Sequence, residues 1–153
     1  MSPWAQGITT VDTLVGQGQL ERVPVNADAA ASMIAQARRH LVSAETLAPS
    51  DVVLAYDALH AANRKALTAV LLAQGLRPTR AGGHTAVHEA ARAQLDPPLG
   101  KVVAPYSRIR RIRNAGDYLD DITSTTEDVL ADLPLCRAIV DAAAKVLGHM
   151  PPY

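Results

Sequence analysis

Residues 107–121, SRIRRIRNAGDYLDD, hold the densest run of side chains able to do chemistry in this sequence. Arg108, Arg110, Arg111 and Arg113 fall within six residues, and Asn114, Asp117 and Tyr118 follow at once. A guanidinium presents its donors in a planar fork that grips phosphate through two bonds at a time. The run reads as a nucleic-acid patch, a catalytic constellation, or a helix end decorated with solvated charge. On a helical wheel of about 100° per residue, Ile109, Ile112 and Gly116 gather on one face. Arg110, Arg113, Asn114 and Asp117 take one flank, and Arg108, Arg111 and Tyr118 the other. The run therefore predicts a narrow apolar seam between two polar flanks. Arg113 and Asp117 are spaced for an i,i+4 ion pair worth a few tenths of a kcal/mol. An aspartate near a helix C-terminus opposes the helix dipole, so Asp117 is slightly misplaced for stability alone.

A second group lies upstream. His60, Asn63 and Arg64 share one helix face at i, i+3 and i+4. If that face meets the arginine helix, they complete a polar pocket to which His60 brings an imidazole. Otherwise they form a solvated polar face. His84 and His88 have metal-ligand spacing, but the only nearby third candidate, Glu89, points elsewhere. Structural roles are expected for both histidines, with no metal and no cofactor. GLRPTRAGGH, residues 75–84, has glycines and bases but no strand before it and no Gly-Lys-Ser/Thr, so it is no phosphate-cradling P-loop.

The elements that must position these groups read as helices. Residues 1–26 predict an N-terminal arm. Thr9 or Thr10 caps a short helix there, which runs through Val15 and ends at GQG. A long helix follows from about Asn26 to Leu47, with the stripe Ala30, Met33, Ala37, Leu41, Ala44 and Ala48. A second runs from about Asp51 to Gln74, capped by Ser50 and closed by Gly75. Residues 76–84 read as a loop, about His84 to Gln94 as a shorter helix, and LDPPLGKVVAP as another loop. Pro105 suits the first position of the arginine helix, about Pro105 to Asp117. A last helix spans about Thr125 to Leu147, with Ser124 to Glu127 as a capping box and Pro134 as an expected kink or restart. Residues 27–148 thus predict an all-α, antiparallel bundle of four to five helices, and residues 149–153 a tail.

Composition agrees with that class. The chain has 153 residues, no Phe, one Trp and one Cys. A core so poor in aromatics and rich in Ala and Leu favours closely packed helices. The lone Cys136 excludes an internal disulfide and reads as a buried thiol. Net charge is zero, yet five bases and no acid lie between Lys101 and Arg113, and six acids and no base between Asp117 and Asp132. No run approaches the roughly 18 apolar residues of a membrane span, and the first residues lack a secretory pattern. A cytoplasmic location without membrane partners is expected.

The basic helix with Arg113-Asn114 and Asp117-Tyr118, preceded by AYDALHAANRKALTAVLLAQGLRP and GGHTAVHEAARAQL, resembles the HEPN domain (higher eukaryotes and prokaryotes nucleotide-binding). The resemblance covers about residues 27–148. It implies a homodimer that brings two motifs together, acting in a toxin–antitoxin or defence module, often beside a minimal nucleotidyltransferase. Active members of that family are metal-independent ribonucleases whose motif is an Arg followed by a polar residue, often Asn, with a His after four to six residues. Arg113-Asn114 matches its first half, and Asp117-Tyr118 stands where the His would be. By this resemblance Arg113, Asp117 and Tyr118 are the catalytic candidates. Arg108, Arg110, Arg111, Asn114, His60, Asn63 and Arg64 are the candidates for binding RNA or nucleotide. Proton transfer near neutral pH suits histidine best, and arginine neighbours would push an aspartate's pKa down. Binding is accordingly expected ahead of cleavage. The alternative is a structural or protein-interaction bundle whose partner meets residues 101–113 with an acidic surface.

Overall fold

The computed structural model describes residues 4–117 and 123–153, apart from the side chains of His84 and Asp117. Its described elements run α1 (Ile8–Gly16), β1 (Leu20–Arg22), α2 (Ala27–Leu47), α3 (Val52–Ala73), β2 (Leu76–Pro78), α4 (Gly83–Leu95), α5 (Gly100–Val103), α6 (Pro105–Asp117) and α7 (Thr126–Val146), with a closing 3-10 turn at Leu147–His149. The architecture is an all-α bundle with one two-stranded ribbon.

Local sequence explains the starts of α2, α3, α6 and α7. Asn26 caps α2 by accepting the Ala29 N–H at 2.9 Å. Asp51 caps α3 by accepting the Leu54 N–H at 3.0 Å, taking the role expected of Ser50. α7 opens on a reciprocal capping box between Thr125 and Asp128, one residue beyond the predicted Ser124–Glu127 pair. Pro105 starts α6 as expected. Pro134 lies inside α7 without restarting it, on its exposed side. The proline lacks the N–H that would bond the Leu130 carbonyl.

α2 buries Ala30, Ile34, Ala37, Leu41 and Ala44 against α3. Ile34 takes the deep position, and Met33, expected there, packs partly buried at its edge. The small alanines bring the two helices close. Val129, Leu133, Cys136, Val140 and Ala143 of α7 complete this first core, joined by Ile109 of α6. A second core unites Val11 and Leu14 of α1, Leu20 and Leu76 of the ribbon, Ala86, Val87, Ala90, Ala91 and Leu95 of α4, and Tyr106 and Ile139. α3 serves both: Ala66 and Val70 face the first core, Leu67 and Leu71 the second.

α1 starts at Ile8 behind Gly7 with no side-chain cap, not at Thr9 or Thr10, and two stretches read as loop also need correction. Residues 76–84 are not all loop: Leu76–Pro78 pairs antiparallel with Leu20–Arg22 in register Leu20↔Pro78 and Arg22↔Leu76. LDPPLGKVVAP also includes the short helix α5. Strands of three residues are too short to show an alternating pattern, and Pro78 at a strand end reads as loop. The arm is consequently docked, with α1 buried against α4. Gly75 makes the ribbon possible. Its φ is +78°, and a Cβ there would lie 2.7 Å from the Val23 carbonyl oxygen.

Candidate phosphate-binding site on the arginine helix

α6 sits on α3 by the predicted seam. Ile109 is fully buried, and Ile112 packs partly buried against the first core. Tyr106, one turn before Ile109, is the larger anchor. Its ring stacks on His88 of α4 (centroids 4.7 Å apart, planes at 18°) and meets His60 of α3 at 5.6 Å and 54°. Burial pushes the Tyr106 hydroxyl up to about 12, so it stays protonated at neutral pH.

The four arginines have different partners. Arg108 makes a two-pronged bond to Asp132 of α7, Nη1 to Oδ2 at 3.0 Å and Nη2 to Oδ1 at 2.5 Å. Tyr56 of α3 donates its hydroxyl to the same Oδ2 at 2.7 Å. The Asp132 side chain is only 8 % exposed, so this clasp ties α3, α6 and α7 together. Burial, followed by the bond to Asp132, raises the Tyr56 pKa well above its ordinary value. Arg113 stands with Nε 3.4 Å from Asp57 Oδ1 of α3 and donates from Nη1 to Asn114 Oδ1 at 3.3 Å. Asp57 is thus a described partner of Arg113 on a neighbouring helix. Asp117 ends α6, but its side chain, and the whole of Tyr118, lie outside the described residues.

Arg110 and Arg111 differ from both. Arg111 is exposed and Arg110 half-buried, and among the described residues neither has a carboxylate within ion-pair distance. Arg110 lies near enough to Tyr106 and His88 for its charge to lower both pKa values. For His88, burial is the larger cause and Arg92 adds to it, so its imidazole is biased to the neutral form.

The His60, Asn63, Arg64 face does meet α6, but two of its members are inside the protein. His60 is 3 % exposed and Asn63 0 %. Asn63 donates Nδ2 to Cys136 Sγ at 3.4 Å. Burial pushes the Cys136 thiol up to about 12, which leaves it a structural group rather than a nucleophile. Arg64 is half-buried, and its charge acts on Tyr106 alongside that of Arg110. The arrangement sets Arg64 and Arg110 both within reach of Tyr106, packs His60 against the Tyr106 ring, and leaves Arg108 clamped to Asp132.

Sequence reasoning missed Tyr106 and the Arg108–Asp132–Tyr56 clasp. Tyr106 had a signal, its three-residue spacing from Ile109. The clasp had none, because its members lie on three helices. Near His88 an open cleft of about 660 Å³ is lined by Thr10, Thr85, Glu89, Arg92 and Asp96. Among the described residues no group of three His, Cys, Asp or Glu side chains is placed to hold a metal. No described helix is long and apolar enough to cross a membrane.

No protein-family model matches the chain, nor does any curated protein or solved structure.

Proposed function

We propose that this protein binds a phosphate-bearing ligand, RNA or nucleotide, on the polar flanks of α6. The observation that carries the reading is the difference among its arginines. Arg108 is held by Asp132, whereas Arg110 and Arg111 have no carboxylate within ion-pair distance among the described residues. Arginines without a carboxylate partner keep their full donor capacity for an oxyanion. Arg113 and Asn114 extend the same surface toward Asp57.

The resemblance to HEPN domains supports this reading and adds a homodimer, a toxin–antitoxin or defence setting and a nucleotidyltransferase partner as further parts of the proposal. Binding without cleavage is the favoured form. The family's histidine is replaced in the motif, and His60 is buried against the Tyr106 ring.

Fluorescence anisotropy with a labelled single-stranded RNA, repeated over a salt series, tests the proposal. Replacing Arg110 and Arg111 by Ala is expected to weaken binding by roughly tenfold or more and to flatten the salt dependence by about one ion per arginine. RNA and nucleotide affinities that survive both substitutions unchanged would sink it and leave the protein-interaction reading of residues 101–113. RNA cleavage that is lost on Asp117→Asn would instead restore a ribonuclease.

A further inference from the structure

A second set of bases meets where α2 packs on α3, with no carboxylate among the described residues within ion-pair distance. Lys65 Nζ stands 2.8 Å from His40 Nε2 and donates to Gln36 Oε1, also at 2.8 Å. An ammonium has only donors to offer, so His40 Nε2 must be the accepting nitrogen and its ring neutral. Gln36 is itself oriented, donating Nε2 to Ser32 Oγ at 3.3 Å. Both partners of Lys65 are thus uncharged, and one of its three protons remains.

The surrounding charge is all of one sign. Burial, and after it the charges of Lys65, Arg39 and Arg64, lower the His40 pKa. Burial, then Arg64 and Arg39, lower that of Lys65. Among the described residues no carboxylate lies within ion-pair distance of Arg39, Arg64 or Lys65. The contrast with their neighbour is direct, since Arg38 on the adjoining face of α2 pairs with Asp141 of α7 at 2.8 Å. Lys65 and His40 touch, and Arg39 and Arg64 lie near enough for their charges to act on both; an anion placed beside the pair would turn that repulsion into attraction.

We propose that His40, Lys65, Arg39 and Arg64 form a binding site for a tetrahedral oxyanion, the phosphate group of a free ligand or of a nucleic-acid strand. On binding, His40 takes up a proton and turns from Lys65's acceptor into a second donor toward the anion. Affinity must then rise as pH falls. Arg64 faces this cluster while its charge also reaches Tyr106, beside Arg110. A strand lying on α6 could therefore continue past Arg64 to Lys65. The site does not depend on the α6 reading, because none of its four members belongs to that helix.

Sulfate is the first probe, since it stays a dianion across the pH range of interest. The His40 ring is followed by NMR in a pH titration, with sulfate and with chloride at matched ionic strength. Sulfate is expected to raise the His40 pKa, and its affinity to grow about threefold to tenfold between pH 7.5 and 5.5. Lys65→Gln should weaken sulfate binding by about tenfold, while Arg38→Gln leaves it unchanged. A His40 titration identical in the two salts, or a Lys65→Gln protein that binds sulfate as the parent does, overturns the site. Both substituted residues lie outside the cores, and a urea transition verifies that each variant is folded.

A single-stranded RNA then separates the two sources of phosphate. If Lys65→Gln weakens RNA as well as sulfate, the strand crosses this cluster. If it weakens sulfate alone, the ligand is a small free anion. Loss of RNA binding on Arg110→Ala with sulfate intact at His40 separates this site from the α6 surface.

Discussion

Two regions of the bundle handle positive charge in opposite ways. At the α6–α7 contact, Arg108 meets a buried carboxylate through two bonds, and Tyr56 supports that carboxylate from α3. On the α2–α3 face, Lys65 meets only neutral partners, with Arg39 and Arg64 close by. In the first region, breaking the pair leaves a buried charge unpaired, so the cation holds the fold together. In the second, no carboxylate among the described residues lies within ion-pair distance of the cations, which costs stability and leaves them ready for an anion. A run of bases in sequence therefore says little until the position of the acids is known.

The contrast can be broken most sharply at Asp132. Asp132→Ala should cost about 2–3 kcal/mol in urea-induced unfolding, since it removes the anchor of Arg108 and orphans the Tyr56 hydroxyl. A loss below about 0.5 kcal/mol would reduce the clasp to an ordinary surface pair. Tyr56→Phe should cost less, about 1 kcal/mol, as one hydrogen bond to a buried carboxylate disappears.

The α2–α3 face should instead show itself through pH. The folded protein holds the His40 pKa below its ordinary 6.5, so the unfolded chain takes up the proton more readily. That part of the stability is complete above about pH 6.5 and is lost as pH falls through that value. His88, lowered in the same direction, adds to the slope. Denaturation midpoints measured from pH 7.5 down to 5.5 should fall in the parent protein and fall less in His40→Gln. An equal slope in both would show that His40 is not the group responsible. The smallest effect belongs to Lys65→Met, expected within about 0.5 kcal/mol of the parent or slightly more stable, because no carboxylate is left behind. A clear loss would mean Lys65 has a partner that matters to the fold.

Much of the helical framework was legible in the residues. The stripes of α2, α3 and α7 repeat over about five turns each, long enough for their period to be unmistakable. The seam of α6 followed from Ile109, Ile112 and Gly116. The ribbon was not legible, because Leu20–Arg22 and Leu76–Pro78 are each too short to alternate, and their pairing depends on a turn at Gly75 and on α1 reaching α4. At the candidate site, the sequence picked out the arginines but could not sort them. Arg108 and Arg111 share a flank on the wheel, yet one is bound to Asp132, 24 positions away, and the other is exposed. Likewise His60 and Asn63 looked polar and surface-ready, and only the packing of Tyr106 and Cys136 over them reveals otherwise.

The way α3 divides its side chains between two cores has a consequence for unfolding. Ala66 and Val70 belong to one apolar cluster, Leu67 and Leu71 to the other, so within one helical turn both depend on the same backbone. Neither half can melt while α3 stays intact in the other without stripping the helix of half its cover. The chain should lose structure in one step, and the backbone amides around residues 66–71 should be the last to exchange with solvent.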